Sequence, residues 1–201
     1  MNSWDREFDV VVVGFGGAGS AAALEARSEG ADVLVIDRFA GGGATERSGG
    51  VVYAGGGSAP QKQAGYEDDA EQMFNYLRLE VGDAVDEAIL RSFCEQSVAG
   101  LQWLEGHGVP FPASDVAPYK TSYPEDACTL YFSGNEAAKP SSQSARPAPR
   151  GHRVPGEWNT GDVLFGYLRK ATEASGVEIR NYCQARRLIT GSQGEVEGVE
   201  I

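Results

Sequence analysis

The chain has few cysteines and few basic residues, and it lacks a long apolar run. Its three cysteines are scattered, odd in number and without a CxxC pair, so neither a disulfide framework nor a zinc site is expected. Only 17 lysines and arginines oppose 29 acidic residues, and the net charge of −12 repels nucleic acid and anionic membrane surfaces. No apolar run approaches the length of a membrane-spanning helix.

The first residues also lack the apolar segment that directs secretion. At 201 residues and 41% hydrophobic content, the chain is long enough to bury one substantial core. These features predict a cytoplasmic protein with no membrane span, no nucleic-acid partner and no metal site. The acidic run Glu67-Asp68-Asp69 is interpreted as a solvated helix start, because metal binding needs more converging ligands.

A glycine-rich turn near the N-terminus carries the clearest functional signal. Residues 9–13 predict a buried strand, residues 14–19 read GFGGAG, a helical run follows, and Val33 to Ile36 predict a second strand that ends in Asp37. Strand, glycine turn, helix and a strand-terminal acid together are typical of dinucleotide binding. A structural turn alone would also explain the glycines, but not the agreement of all four parts.

Each residue of this pattern has a physical task. Gly14 permits the tight turn, Gly16 lets a pyrophosphate approach the backbone, and Gly19 lets the helix pack closely on the strand. The phosphates then lie at the helix N-terminus, where free N–H groups point outward. Asp37 follows Gly19 by 18 residues (37 − 19), which suits an acid that accepts hydrogen bonds from ribose hydroxyls and disfavours the 2′-phosphate of NADP.

A second glycine-rich segment, residues 41–57, favours FAD over NAD. A domain that binds only NAD would continue from Asp37 into another crossover helix, whereas this chain continues with glycines and small polar residues. Such a backbone suits close contact with a flat ligand, and Thr45 and Ser48 add hydroxyls. The alternative interpretation is a flexible surface loop.

These segments resemble the FAD-binding half of the fumarate reductase/succinate dehydrogenase flavoprotein superfamily. The resemblance is carried by Gly14 to Gly19, Asp37-Arg38, Gly42 to Thr45, and Ser48 to Gly50. Within that superfamily the chain is most similar to 3-ketosteroid dehydrogenases, especially those that act at the Δ4 position. Residues 51–57, 118–124 and 150–156 carry this narrower resemblance.

The resemblance implies an α/β, Rossmann-like FAD-binding domain with a parallel sheet, crossover helices and a β-hairpin, incomplete at its C-terminal end. The ADP half of FAD is expected at the first glycine turn and the flavin near Ser48 to Gly50. Gly43 stands where succinate dehydrogenases carry a flavin-linked histidine, so noncovalent FAD is expected. The expected FAD contacts are Gly14, Gly16, Gly17, Ala18, Gly19, Asp37, Arg38, Gly43, Ala44, Thr45, Ser48, Gly49, Gly50 and Ala185, the last through its backbone to the adenine.

Further elements follow from periodicity and capping residues. Helices are predicted to begin at Asp68-Asp69, at Asp86 and at Asn159 or Thr160. In the helix that begins at Asp86, the residues at helical spacing are predicted to form one core-facing apolar face: Ile89, Leu90, Phe93, Cys94, Ser97, Val98, Leu101 and Leu104. A third parallel strand is predicted at residues 177–182 and a hairpin at residues 184–201. We expect residues 1–201 to be one N-terminal portion of an FAD-binding domain. Residues 112–150 are interpreted as a loop-rich, low-complexity and poorly ordered insertion, with a short strand at residues 129–132.

No catalytic residue is assigned, because the family places the substrate-capping domain and most catalytic groups beyond residue 201. His107 is interpreted as a helix-end residue. His152 is interpreted either as a positioning residue or as one that reaches the flavin or a substrate carbonyl, with its protonation disfavoured by neighbouring arginines. The tyrosines considered for a steroid pocket are Tyr53, Tyr119, Tyr123 and Tyr131.

On the resemblance, the intact enzyme would remove two hydrogens beside the ketone of a small 3-ketosteroid-like substrate. One would leave as a proton to a tyrosine and one as hydride to flavin N5, with an unidentified electron acceptor. Two alternatives stay open: a fumarate-reductase-like enzyme for a small dicarboxylate, and a truncated, non-catalytic FAD-binding module. Residues 1–201 alone are expected to be catalytically silent, because nothing in them covers the flavin.

Overall fold

The structure is a computed structural model that describes residues 4–114, 116–117 and 127–201, with only the backbone given for Ala117. The chain divides into two compact units. Unit 1 comprises the chain up to Arg47 together with Leu164–Ile201, and unit 2 comprises Ser48–Val163. Within the described ranges, no helix is both long and apolar enough to cross a membrane.

Unit 1 is built on a three-stranded parallel sheet. Strands β1 (Val10–Val13), β2 (Val33–Ile36) and β7 (Glu178–Arg180) lie in the order β1-β2-β7. Val10 pairs with Val33, and Leu34 pairs with Glu178. Every residue of β2 is buried because this strand is central and covered on both faces. The predicted parallel sheet and its third strand are confirmed.

Helix α1 (Gly17–Ser28) connects β1 to β2, as predicted, and buries Ser20, Ala23 and Leu24. Helix α7 (Gly161–Ala174) begins directly after Thr160, one of the two predicted caps. From Leu164 onward α7 belongs to unit 1, where Phe165 lies edge-to-face against Phe15 with ring centroids 5.2 Å apart. These aromatic side chains fix the helix beside the glycine turn.

Unit 1 ends in the predicted hairpin, made of β8 (Arg187–Thr190) and β9 (Val196–Glu200). The strands pair antiparallel, with an irregularity between Ile189 and Thr190. The hairpin and strands β1 and β2 border an open groove of about 900 Å³. None of the residues predicted to contact FAD borders this groove.

Unit 2 contains a four-stranded mixed sheet in the order β3-β6-β5-β4. Its strands are β3 (Val51–Tyr53), β4 (Val116–Ala117), β5 (Leu130–Tyr131) and β6 (Gly151–Arg153). Strand β3 pairs antiparallel with β6, so that Val52 lies opposite His152. Two of the three segments that carry the steroid dehydrogenase resemblance are therefore neighbouring strands. The third, residues 118–124, lies outside the described residues.

The helices of unit 2 begin at side-chain caps. Helix α3 (Ala59–Gln63) starts with a capping box between Ser58 and Gln61. Helices α4 (Ala70–Val81) and α5 (Glu87–Gly106) are capped by the Asp69 and Asp86 carboxylates, as predicted. Their shared core is formed by Met73, Phe74, Leu90 and Cys94.

The apolar face predicted for α5 is wider than the buried face. Leu90, Cys94, Ser97 and Leu101 are buried, whereas Ile89 and Phe93 are 66% and 46% exposed. Helical periodicity identifies one amphipathic face but does not determine where the packing partner ends. The prediction was therefore wrong for these two side chains.

Residues 127–150 hold more regular structure than their composition predicts. The expected short strand is β5, and Ser141–Ser144 form a short helix, α6. Ala145 and Ala148 are buried, with Ala148 completely inaccessible. Small side chains, read from the sequence as low complexity, here allow the backbone to pack closely.

Candidate cofactor site

The glycine turn of unit 1 joins β1 directly to α1. Gly14 has a φ of +104°, and its N–H donates to the Ile36 carbonyl at 2.8 Å. Helix α1 begins at Gly17, and its N-cap, Gly16, provides no side-chain acceptor. The first N–H groups of a helix have no acceptor inside it, so this end is suited to bind an anion. The 12-residue helix adds the positive end of its dipole.

The spacing of the glycines is dictated by close contacts. A Cβ at Gly19 would overlap the Gly14 carbonyl oxygen, and a Cβ at Gly17 would lie 2.8 Å from Thr45 Oγ1. A Cβ at Gly16 would lie 3.4 Å from the Gly42 carbonyl oxygen. The close packing predicted for Gly19 is therefore confirmed. At Gly16 and Gly17 the space that a Cβ would fill lies against the second glycine segment, so these glycines let the two segments approach closely, and their contact with a pyrophosphate stays a prediction.

Asp37 holds this turn in place as well as ending β2. Its Oδ2 accepts from the Phe15 N–H at 2.8 Å, and its Oδ1 accepts from the Phe39 N–H at 2.7 Å. Each carboxylate oxygen has a further lone pair, so both can still accept from ribose hydroxyls. The clamping of the turn is a structural task of Asp37 that the sequence did not reveal.

Thr45 lies in α2 (Gly43–Glu46), a short helix within the second glycine-rich segment. Its Oγ1 accepts from the Gly17 N–H at 3.0 Å. Nearby, the Gly42 N–H donates to the Phe15 carbonyl at 2.6 Å. The second glycine segment therefore packs against the first. Ala44 and Gly43 are exposed at the start of α2, and Ala18 is exposed in the first turn of α1.

The segment after Asp37 lies beside the segment after β7. The Cys183 N–H donates to the Asp37 carbonyl at 2.8 Å, and the Tyr182 N–H donates to the Phe39 carbonyl at 2.9 Å. The Arg38 guanidinium lies over the Phe39 ring, 4.8 Å from its centroid. Ala185 is half-buried two residues further on. The backbone contact between Ala185 and adenine stays a prediction, supported by this proximity to Asp37.

In unit 2, residues Ser48 to Gly50 are bonded to the turn that follows β6. The Gly161 N–H donates to the Ser48 carbonyl at 3.1 Å, and the Thr160 hydroxyl donates to the Gly49 carbonyl at 3.2 Å. A Cβ at Gly50, whose φ is +67°, would overlap Thr160. Only glycine fits at position 50, and its backbone is held rigidly. These hydrogen bonds fix the backbone of the segment for which flavin contact was predicted.

A buried ion pair braces the glycine loop after β3. Arg150 Nε and Nη2 donate to Asp68 Oδ2 and Oδ1 at 2.9 and 2.7 Å, and neither side chain is exposed. Asp68 Oδ2 also accepts from the Gly56 N–H at 3.1 Å. The interpretation of Asp68 as part of a solvated helix start was wrong, because its carboxylate is buried against Arg150, 82 residues away in the chain.

A second buried carboxyl, Glu136, lies next to this pair. It accepts from the Tyr53 hydroxyl at 3.0 Å and from the Gly134 N–H at 2.9 Å. Burial raises the pKa of Glu136 and that of Tyr53 above their ordinary values. Burial also raises the pKa of Tyr76 to about 12, and this hydroxyl accepts from the Asn135 N–H. Tyr53 is therefore held as a neutral donor inside a hydrogen-bonded cluster.

His152 is fully enclosed by this cluster and has no ring nitrogen left for a ligand. Its Nδ1 donates to the Arg150 carbonyl at 3.1 Å, so its Nε2 accepts from the Ser58 hydroxyl at 2.8 Å. Its pKa is lowered, as predicted, but the main cause is burial rather than the neighbouring cations. The interpretation that His152 reaches the flavin or a substrate carbonyl is therefore wrong, because its ring is buried. A positioning role fits.

The other residues considered for catalysis have ordinary structural surroundings. His107 is the C-cap residue of α5, and its ring lies tilted against Trp103 with ring centroids 4.2 Å apart. Tyr131 is buried in β5. Tyr119 and Tyr123 lie outside the described residues. No catalytic residue is identified among the described part of the chain.

Comparison with known proteins agrees with this geometry. The profile of a family described as "FAD binding domain" matches residues 9–201. A 3-oxo-5-alpha-steroid 4-dehydrogenase of Comamonas testosteroni is 45% identical over 202 residues, which cover 98% of this chain and 38% of that protein. The chain therefore spans about two fifths of the length of this relative.

Two solved structures extend the comparison. The 3-ketosteroid-Δ4-(5α)-dehydrogenase of Rhodococcus jostii RHA1, solved with 4-androstene-3,17-dione, matches 98% of this chain with a TM-score of 0.88 and 40% identity. The match covers 42% of that chain. An open conformation of a flavocytochrome c3 fumarate reductase matches 97% of this chain, and 30% of its own, with a TM-score of 0.77 and 28% identity.

Proposed function

Because this chain belongs to the FAD binding domain family, we propose that it is the FAD-binding part of a flavin-dependent dehydrogenase for a 3-ketosteroid. The observation that carries the proposal is the turn of Gly14 to Gly19, clamped by Asp37 at the end of the neighbouring strand. The steroid substrate is supported by the 45% identity to a steroid 4-dehydrogenase.

Each unit contributes residues that suit a different part of FAD. In unit 1, the N-terminus of α1 would bind the pyrophosphate, and Asp37 would accept from ribose hydroxyls. In unit 2, the rigid backbone of Ser48 to Gly50 would lie against the flavin. We propose that both units belong to one FAD-binding domain.

FAD, when bound, supplies an acceptor for a hydride from the substrate. The chain's own contribution is binding and orientation, because His152 and Tyr53 are committed to internal hydrogen bonds. Position 43 is a glycine rather than a histidine, which supports noncovalent attachment. The electron acceptor is unassigned. A cytoplasmic location is proposed because all three cysteines are thiols rather than disulfide partners.

The test is a visible spectrum of the purified full-length protein, followed by denaturation with acid. We expect flavin absorbance in the protein and its release into the supernatant. A colourless protein that cannot be reconstituted with FAD, yet binds NADH, would contradict the proposal. Flavin that stays with the precipitate would contradict noncovalent attachment alone.

Anaerobic mixing with substrates then separates the reactions. A 3-oxo-5α-steroid should bleach the flavin, and succinate should not. The likeness to the fumarate reductase favours a second candidate function, reduction of a small dicarboxylate. Oxidation of the prereduced enzyme by fumarate, without a steroid reaction, would support this candidate instead. Bound FAD with neither reaction would indicate a non-catalytic FAD-binding module.

A further inference from the structure

Arg169 lies on α7 and contacts residues at the two glycine segments of unit 1. Its Nη2 donates to the Ala40 carbonyl at 2.8 Å, across 129 positions of the chain. Its guanidinium lies over two phenylalanine rings, 4.9 Å from the Phe165 centroid and 5.7 Å from the Phe15 centroid. Both distances allow cation–π attraction. The cation is therefore placed by three contacts, all of them within unit 1.

Phe15, the second residue of the first glycine turn, is held on every side. Its ring is completely inaccessible and lies edge-to-face against Phe165. Its N–H donates to Asp37 Oδ2 at 2.8 Å, and its carbonyl accepts from the Gly42 N–H at 2.6 Å. A residue has one backbone donor and one backbone acceptor, so both of these groups are engaged. The position of Phe15 therefore sets the direction of the peptide groups that lead into α1.

Gly41 shows how closely the second glycine segment lies against Phe15 and Arg169. Its φ is +88°, and a Cβ there would lie 2.8 Å from Phe15 Cδ1 and 3.4 Å from Arg169 Nη2. The Ala40 carbonyl, which accepts from Arg169, immediately precedes it. The guanidinium therefore joins α7 to the backbone of the second glycine segment and also to the ring of the first glycine turn.

We propose that Arg169 is a positioning residue for the pyrophosphate of FAD, which acts through Phe15 and the Ala40 carbonyl. The inference rests on the proposed function. A charged donor makes stronger hydrogen bonds than a neutral one, and a planar guanidinium can lie on an aromatic ring while it donates. A site that is ordered before its ligand arrives loses less entropy on association. The task of Arg169 is to order the backbone that the phosphates meet.

The test compares the full-length protein with its Arg169→Met, Arg169→Lys and Lys170→Met variants, all freed of FAD. Lys170 is a matched control, because it is the next cation on α7 and its ammonium lies over Tyr167 instead, 5.9 Å from the ring centroid. Calorimetric titration with ADP should show a dissociation constant about tenfold higher for Arg169→Met, the size expected for one hydrogen bond from a charged donor. Arg169→Lys keeps the charge and an N–H donor, so it should recover most of the affinity. Lys170→Met should match the wild type.

Hydrogen exchange of the same FAD-free proteins, measured by mass spectrometry, is the readout that a general loss of stability would not reproduce. Local opening exposes only the amides of the segment that opens. In Arg169→Met, peptides that cover residues 14–20 and 38–46 should exchange faster, and peptides from the hairpin at residues 187–200 should exchange at the wild-type rate. Arg169→Lys should bring the first two peptides back toward the wild-type rate.

An unchanged affinity for ADP in Arg169→Met would overturn the inference, and so would faster exchange throughout the protein, which would indicate a general role in stability. Weaker ADP binding with unchanged exchange would also overturn it, in favour of direct contact between Arg169 and the ligand. If Arg169→Met does not fold, Arg169→Gln decides by the same two readouts. Failure of the proposed function would appear in the wild type, as a protein that binds neither FAD nor ADP, and exchange would then still decide whether Arg169 orders the turn.

Discussion

Arg150 and Asp68 form a two-point ion pair in which neither side chain is exposed to solvent. Arg150 immediately precedes β6, and Asp68 immediately precedes Asp69, the N-cap of α4, so the ion pair joins these two elements. Asp68 also accepts a hydrogen bond from the Gly56 N–H. A buried pair of this kind contributes little net stability over an apolar alternative, but the loss of one partner is costly.

Asp68→Asn should therefore lower the free energy of unfolding by about 3–5 kcal/mol, because it leaves Arg150 buried without a counter-charge. Glu67→Gln is the control: its neighbouring pair with Arg146 is exposed, and its loss should cost at most about 1 kcal/mol. Urea unfolding monitored by near-UV circular dichroism measures both. The double variant Asp68→Asn/Arg150→Met should be more stable than Asp68→Asn; the opposite order would refute the buried-charge explanation.

Gly19→Ala should destabilise unit 1 and abolish FAD binding, because the new Cβ would overlap the Gly14 carbonyl oxygen. Overpacking against backbone costs about 1–3 kcal/mol or more. Gly100→Ala is the matched control, since a Cβ on this exposed residue of α5 meets open space. It should be neutral or slightly stabilising. Thermal melts and FAD titrations give the comparison; a Gly19→Ala protein with wild-type melting and affinity would contradict the packing argument.

Asp37→Ala should weaken FAD binding by about 1.5–3 kcal/mol, the usual range for hydrogen bonds to a charged group. It should also reduce stability, because the Phe15 and Phe39 N–H groups lose their acceptor. Quenching of flavin fluorescence measures the dissociation constant, with the exposed Asp83→Ala as control. An unchanged dissociation constant would remove Asp37 from the cofactor site while leaving its structural role intact.

The pH dependence of stability should differ between wild type and Glu136→Gln. Burial raises the pKa of Glu136 above 4.5, so the folded state holds a proton that the unfolded state releases first. This contribution to stability is complete below pH 4.5 and is lost as pH rises through the raised pKa, by at most about 1.4 kcal/mol per pH unit.

Urea unfolding at a series of pH values from 4 to 8 measures the difference between the two proteins. The free energy of unfolding of Glu136→Gln, relative to that of the wild type, should increase as pH rises. The lowered pKa of His152 acts in the opposite direction below pH 6.5, but it is common to both proteins and cancels. A difference that stays constant with pH would show that Glu136 is not held protonated.

Local patterns predicted the parts of the molecule that short-range rules determine. The individual strands of unit 1, the first glycine turn, the caps Asp69 and Asp86, and the final hairpin each depend on residues close in sequence. The polar cluster of unit 2 could not be predicted, because Asp68 and Arg150 are far apart in the chain and each resembles a surface residue alone. The sequence did single out two segments of this part of unit 2, Val51 to Tyr53 and Gly151 to Arg153, because both carry the resemblance to steroid dehydrogenases. In the structure these segments pair as β3 and β6.

The function of Thr45 shows a second limit of local patterns. The predicted contact between the Thr45 hydroxyl and FAD stays a prediction, and the structure adds a task that the sequence did not indicate: its oxygen accepts from the Gly17 N–H. Such a contact depends on how closely two glycine segments approach each other, which composition does not specify. The short helix α2 was missed for the same reason.

The hydrogen bonds that join Phe15 to Asp37 and Gly42 to Phe15 run between groups of the chain itself, so folding alone can form them. The turn therefore loses its conformational entropy during folding rather than during association. A site ordered in advance captures its ligand without a slow rearrangement, so association should follow simple second-order kinetics, with the observed rate rising linearly as cofactor concentration increases. ADP alone, which carries the pyrophosphate and the adenosine ribose, should already compete for this preformed turn.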